Sequence, residues 1–182
     1  MRMRNLCASV IALGLLSAAC ANATTSGAGG GGSDGITYPT GANQMILRIA
    51  QGGGFTSPAY NLTALPMFSL FGDGVLVTPG AQIEIYPGPA LPAIAQQRLS
   101  VDAIQSLLKA AIAAGLDTDR EYVDMGSVGI ADAPTTTFTL TVDGQTHTTN
   151  VYALGELGAK PDGMSQEEYQ ARQELAFPGE GL

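Results

Sequence analysis

The side chains best suited to chemistry in this chain are its only histidine, His147, and a run of four acidic residues. The run consists of Asp117, Asp119, Glu121 and Asp124. Imidazole can serve as a general base or a metal ligand near neutral pH, and alternating carboxylates are the pattern with which a calcium loop begins. These residues suggest either a hydrolase that uses His147 with nearby acids or a calcium-binding loop.

Both hypotheses depart from the patterns that such sites require. Counted from Asp117, the sixth residue is Tyr122 and the twelfth is Val128, where an EF-hand has glycine and a bidentate glutamate. A lone histidine in a threonine-rich segment is typical of a half-buried strand residue. We therefore expect the acidic run to be a solvated loop, with weak calcium binding as the alternative, and we predict no cofactor and no catalytic residue.

Two glycine-rich motifs resemble nucleotide and hydrolase signatures only superficially. Gly52-Gly53-Gly54 follows an apolar run but lacks the Lys-Ser or Lys-Thr of a phosphate-binding loop. Ser127 lies between glycines, yet Met125 occupies the position where a nucleophile elbow has its first glycine. We expect the first motif to be a flexible loop, and a serine hydrolase is disfavoured.

Cys20 is the remaining candidate for chemistry, as the acceptor of a lipid. Arg2 and Arg4 precede an apolar run from Leu6 to Leu16, which is too short to cross a bilayer core because that requires roughly 20 residues. The residues before Cys20, Leu-Ser-Ala-Ala, resemble the lipobox of bacterial lipoproteins. The pattern predicts that residues 1–19 are a cleaved signal peptide.

Lipidation of Cys20 would place the mature chain on a membrane, outside the cytoplasm. Two acyl chains attached through its thioether are enough for stable anchoring, whereas one chain would be marginal. The alternative is ordinary signal cleavage after Ala23, which would remove Cys20 and release a secreted protein.

The charge and cysteine content of the mature chain restrict its partners. Six basic residues remain against sixteen acidic ones, a net charge of about −10, so phosphate groups and anionic lipid headgroups are repelled. Nucleic acid is therefore not an expected partner. No cysteine follows Cys20, which excludes disulfides, a cysteine nucleophile and a thiolate zinc site in the mature domain.

The composition divides the mature chain into three parts. Residues 20–35, with four consecutive glycines at Gly29–Gly32, are predicted to be the lipidated cysteine and a flexible linker. Residues 36–156 carry the apolar patterns of a single domain, and residues 157–182 form a tail with a short helix that begins at a capping box.

Strand signals flank one helix within that domain. Met45–Ile49 and Ile83–Tyr86 are predicted strands. Asp73-Gly74 and Asp143-Gly144 each lie between two apolar or alternating runs, and Asp-Gly favours a tight hairpin turn. In the second hairpin we expect Leu140 to face His147.

The clearest helix runs from Val101 to about Ala114, with Ser100 as its N-cap and Gly115 after its end. Its apolar residues recur at intervals of three and four and form one stripe. The predicted fold is α+β: an antiparallel sheet built from hairpins, with this amphipathic helix packed on one face and a short C-terminal helix.

Five motifs in order resemble an uncharacterised family of exported bacterial proteins and lipoproteins, common in high-GC bacteria. The likeness covers roughly Tyr38 to Gly155, and the motifs are Tyr38-Pro39-Thr40-Gly41, Phe71-Gly72-Asp73-Gly74, Ile85–Pro92, Ala131–Thr136 and Val151–Gly155. Members of that family are often longer, so the resemblance implies that this chain is a short version. It implies export and a shared fold but brings no activity with it. We expect a membrane-anchored domain that binds an unknown protein or small-molecule ligand.

Overall fold

The computed structural model describes residues 35–83, 85–87, 89 and 91–176. The chain is α+β, with one seven-stranded sheet and three helices among these residues. The predicted signal peptide, Cys20 and nearly all of the predicted linker lie outside the described part, as do residues 177–182.

Ten elements follow one another in the described part of the chain. The sheet has the spatial order β4-β3-β2-β1-β6-β7-β5. No helix among the described residues has the length and apolar character that a bilayer span requires. The elements are β1 (Met45–Gly52), α1 (Pro58–Thr63), β2 (Phe68–Phe71), β3 (Val75–Pro79), β4 (Ile94–Arg98), α2 (Val101–Ala113), β5 (Arg120–Tyr122), β6 (Thr135–Val142), β7 (Gln145–Tyr152) and α3 (Gln166–Leu175).

The sheet is mixed, so the prediction of an antiparallel sheet was wrong. Six strands from β4 to β7 pair antiparallel with their neighbours, but β5 pairs parallel with β7. The reason is a non-local connection. In the sequence β5 follows α2 and precedes β6 and β7, yet it lies along the outer edge of β7. No turn motif signals a pairing of this kind.

The pair β6 and β7 shows how local sequence defines the sheet. Buried and partly exposed residues alternate along β6, as expected for a strand with one face on the core. Leu140 lies opposite His147, and Phe138 lies opposite Thr149. Asp143 and Gly144 join the two strands with φ values of 50° and 75°, which are the left-handed conformations that a two-residue turn needs.

The helix α2 contributes buried residues to the main hydrophobic cluster. The Ser100 hydroxyl accepts a hydrogen bond from the Ala103 amide at 3.2 Å, so it caps the helix as predicted. Ile104, Leu108 and Ala111 are buried in the same hydrophobic cluster as strand residues such as Leu140. The helix therefore contributes one apolar stripe to a single main core.

The described residues of the segment 83–86, which are Ile83, Ile85 and Tyr86, do not lie in a strand, contrary to the prediction. These residues are exposed, and Tyr86 is fully so. On the side away from β2, β3 pairs with the exposed strand β4. The sequence of β4, Ile-Ala-Gln-Gln-Arg, carries little apolar signal. An edge strand needs only its backbone to pair, and polar side chains suit its solvated position.

Candidate functional site

The predicted acidic loop is in part a strand. Residues Arg120–Tyr122 form β5 within the run, so the prediction of a loop was wrong there, although Arg120 and Glu121 are exposed to solvent. Pairing with β7 places Glu121 beside Asn150 and Tyr122 beside Val151. The backbone hydrogen bonds of the parallel ladder thus fix a segment whose composition alone favours a loop.

Three of the four acids bind neighbouring polar groups separately. Asp119 Oδ1 accepts from the Thr148 amide at 2.6 Å, and Glu121 Oε1 accepts from the Asn150 side-chain amide at 2.7 Å. Asp124 Oδ1 accepts from the Gly126 amide at 2.8 Å, while Asp117 is exposed. Within the described residues, no three His, Cys, Asp or Glu side chains converge as a metal site would require.

His147 lies near one of these acids. Its Nδ1 is 4.0 Å from Asp119 Oδ1, which is beyond hydrogen-bonding distance. The His147 side chain is 19% exposed and that of Asp119 is 75% exposed, so the carboxylate is well solvated. The structure brings His147 close to Asp119 but does not assemble it with two carboxylates of the described region.

Arg172 of α3 is the most extensively bonded side chain here, and sequence reasoning missed it. It is 3% exposed and donates to the carbonyl oxygens of Tyr122, Tyr152 and Asp124 at 2.8–2.9 Å. It also pairs with Glu168 at 3.1 Å. The four-residue spacing of Glu168 and Arg172 was the only available signal, and it indicates an exposed ion pair on a helix.

An apolar cavity of about 260 Å³ lies between α2, the sheet and the end of α3. Its position follows from the docking of α3, because Leu175 belongs to the main core and forms one wall. The walls include Leu47, Ile49 and Phe138 from the sheet, Leu107 and Ala111 from α2, and Leu175 from α3.

The mouth of this cavity is recognisable from the exposure of its lining residues. Ala110 of α2 and Glu174 of α3 line it and are exposed to solvent, whereas Leu47 and Phe138 are buried. Of the lining residues that the structure describes, only Glu174 is ionisable. The arrangement can therefore take up an apolar group, but it places no acid–base pair around it.

Comparison with known proteins gave no match: no family model matches the chain, and no curated protein or solved structure is significantly similar to it. The resemblance to the family of exported proteins therefore stays a prediction.

Proposed function

We propose that this chain is a lipid-anchored domain of the bacterial envelope that binds a ligand and catalyses no reaction. Acylation at Cys20 would hold it on a membrane, and the linker that follows would span roughly 20 Å if its fifteen or so residues behave as a flexible coil. The resemblance to exported lipoproteins supports the location. The domain would then be free to meet a partner above the headgroups.

The observation that carries the binding function is the apolar cavity between α2, α3 and the sheet. Ligand sites are usually concave, mainly apolar and supplied with few polar groups, and this cavity has apolar walls and a single carboxylate, Glu174, at its mouth. A ligand with a hydrophobic group that enters the cavity fits these walls. Its solvent-facing end would lie beside Glu174, which favours a neutral or cationic group over an anionic one.

The geometry around His147 also supports a binding function. A general base must come within about 2.6–3.2 Å of the group it serves, and a third group usually orients it. Asp119, at 4.0 Å, is the carboxylate that the structure brings near His147, and it is already bonded to the Thr148 amide. His147 and Asp119 thus have the features of a structural contact at the edge of the sheet.

A fluorescent probe can test the proposed ligand site. N-Phenyl-1-naphthylamine is neutral and apolar, and its emission rises when it enters a hydrophobic cavity. We expect the mature chain carrying Cys20→Ser, which has no acyl group to compete, to enhance this emission saturably. Ala110→Trp should block the mouth and weaken binding at least tenfold, which corresponds to about 1.4 kcal/mol.

Ala103→Trp is the matched control, because Ala103 is also exposed on α2 but does not line the cavity. It should bind the probe like the parent chain. Saturable binding that is equal in the two tryptophan variants would show that the probe binds elsewhere, and the absence of any enhancement would contradict the proposed site.

A further inference from the structure

A second cavity, of about 340 Å³, lies at the end of β1 and shares no lining residue with the first. The loop Gly52–Gly54, the residues around α1 and the segment near Asp132 form its walls. It therefore includes the glycine motif that, as a sequence, matches no nucleotide-binding signature. No described residue that lines it is basic, so it offers no counter-charge to a phosphate.

Two aromatic side chains that line this cavity are exposed to solvent. Phe55 is 90% exposed and Tyr60 is 60% exposed, although both line the cavity. Met67, also in the lining, is 40% exposed. Clustered exposed apolar side chains are unfavourable in a monomeric soluble domain and typically mark a binding surface.

The backbone beneath these side chains is fixed by an unusually close approach. Gly54 has φ +73°, and a Cβ atom built on it would lie 2.7 Å from the carbonyl oxygen of Asp132. That oxygen accepts a hydrogen bond from the Phe55 amide at 3.2 Å. Asp132 itself has φ 63°, a conformation that costs a non-glycine residue free energy and tends to occur at functional sites.

The polar groups of the cavity include both donors and acceptors. The Thr56 hydroxyl lies 3.0 Å from Asn61 Oδ1 and 3.1 Å from the Gly53 carbonyl oxygen, and the Asn61 side chain still offers an NH₂ group as a donor. Gln51 Nε2 donates to the Thr136 hydroxyl at 3.3 Å, which leaves its carbonyl oxygen to accept. Asp132 adds a carboxylate and Tyr60 a hydroxyl to the lining residues.

We propose that this second cavity binds a neutral oligosaccharide. A sugar ring presents apolar C–H faces, which pack on the electron-rich faces of aromatic rings, and hydroxyl groups that both donate and accept hydrogen bonds. Phe55 and Tyr60 supply the rings, while Asn61, Gln51 and Asp132 supply the complementary polar groups. An anionic ligand would be repelled by Asp132, and a simple cation would leave the Asn61 donor without a role.

Saturation-transfer-difference NMR on the full chain tests this proposal with the trisaccharides chitotriose and cellotriose as probes. We expect saturation of the aromatic protein protons to appear on the C–H protons of at least one sugar at about 10 mM, a concentration that detects dissociation constants near 1 mM. Phe55→Ala and Tyr60→Ala should each raise the dissociation constant at least tenfold, measured by titrating the sugar. Tyr60→Phe, which keeps the ring, should retain most of the affinity.

Tyr86→Ala is the matched control, since Tyr86 is a fully exposed aromatic residue outside this cavity. It should leave the sugar signal unchanged, and all variants should melt at the parent temperature because the altered side chains are exposed. If neither sugar shows saturation transfer, or if Phe55→Ala gives the same signal as the parent chain, the proposal is overturned. Transfer to tetramethylammonium with none to the sugars would also overturn it and identify a cation site.

Discussion

Arg172 on α3 donates a hydrogen bond of 2.8 Å to the carbonyl oxygen of Tyr152 on β7. The same guanidinium reaches the carbonyl oxygens of Tyr122 and Asp124 and lies 6.0 Å from the centre of the Tyr122 ring. It therefore joins three segments that are distant in sequence. A buried charge is tolerated only when it is paired and hydrogen-bonded, and Glu168 provides the pairing.

Replacing Arg172 should detach α3 from the edge of the sheet. Arg172→Ala leaves three carbonyl oxygens and the Glu168 carboxylate without their donor, and we expect it to lower the free energy of unfolding by about 3–5 kcal/mol. Arg172→Lys keeps the charge but not the planar fork of donors, so it should recover only part of this loss. Urea denaturation monitored by circular dichroism measures both changes.

Gln173→Ala is the control for that experiment. Gln173 is the exposed neighbour of Arg172 on the same helix, and its replacement should change stability by no more than about 0.5 kcal/mol. If Arg172→Ala were as mild as Gln173→Ala, the guanidinium would not be what holds α3 in place.

The contact between Gly54 and Asp132 predicts different effects of two neighbouring substitutions. Gly53 and Gly54 both have positive φ values, but a Cβ on Gly53 would meet nothing within 4 Å, whereas one on Gly54 would lie 2.7 Å from Asp132 O. Gly53→Ala should cost only the backbone strain of about 1–2 kcal/mol. Gly54→Ala should cost more, because the Asp132 backbone must also move.

Thermal melting of the two variants measures this difference directly. Since each 1 kcal/mol corresponds to roughly 4 °C in a domain of this size, Gly54→Ala should melt several degrees below Gly53→Ala. Equal melting temperatures would mean that the close approach is absent in solution.

Calcium should leave the stability of the domain unchanged. Asp119, Glu121 and Asp124 each accept a separate hydrogen bond, so no set of carboxylates is poised for one ion. A site with a dissociation constant near 1 mM would raise stability by about 1.4 kcal/mol at 10 mM calcium, or roughly 4 °C in melting temperature. We expect no shift. A shift that disappears in Asp119→Asn would establish the calcium site and contradict our interpretation of the acidic run.

The elements that sequence predicts well are those specified by neighbouring residues. α2 begins after Ser100 and is followed by Gly115 at φ +78°, because a capping hydroxyl and a left-handed glycine act within one turn. The Asp143-Gly144 turn sets the register of β6 and β7 in the same local way. The α+β class follows from the order of such signals.

The parts that sequence does not predict depend on contacts between distant residues. The parallel pairing of β5 with β7 is supported by hydrogen bonds that the Asp119 and Glu121 carboxylates accept from Thr148 and Asn150 of β7, which is distant in sequence. The apolar cavity exists only because α3 docks beside α2, and that docking uses the buried side chain of Arg172. Because α3 is predominantly polar, its sequence gives no local indication that Arg172 will be buried.

Intact-mass measurement of the chain purified from its native host tests whether lipid on Cys20 anchors the domain to a membrane. We predict a polypeptide that begins at Cys20, carries a diacylglyceryl group and is recovered in the membrane fraction, and we expect Cys20→Ala to lack the diacylglyceryl mass. An unmodified polypeptide that begins at Thr24 and accumulates in the culture medium would show instead that Cys20 is removed and that the domain is secreted.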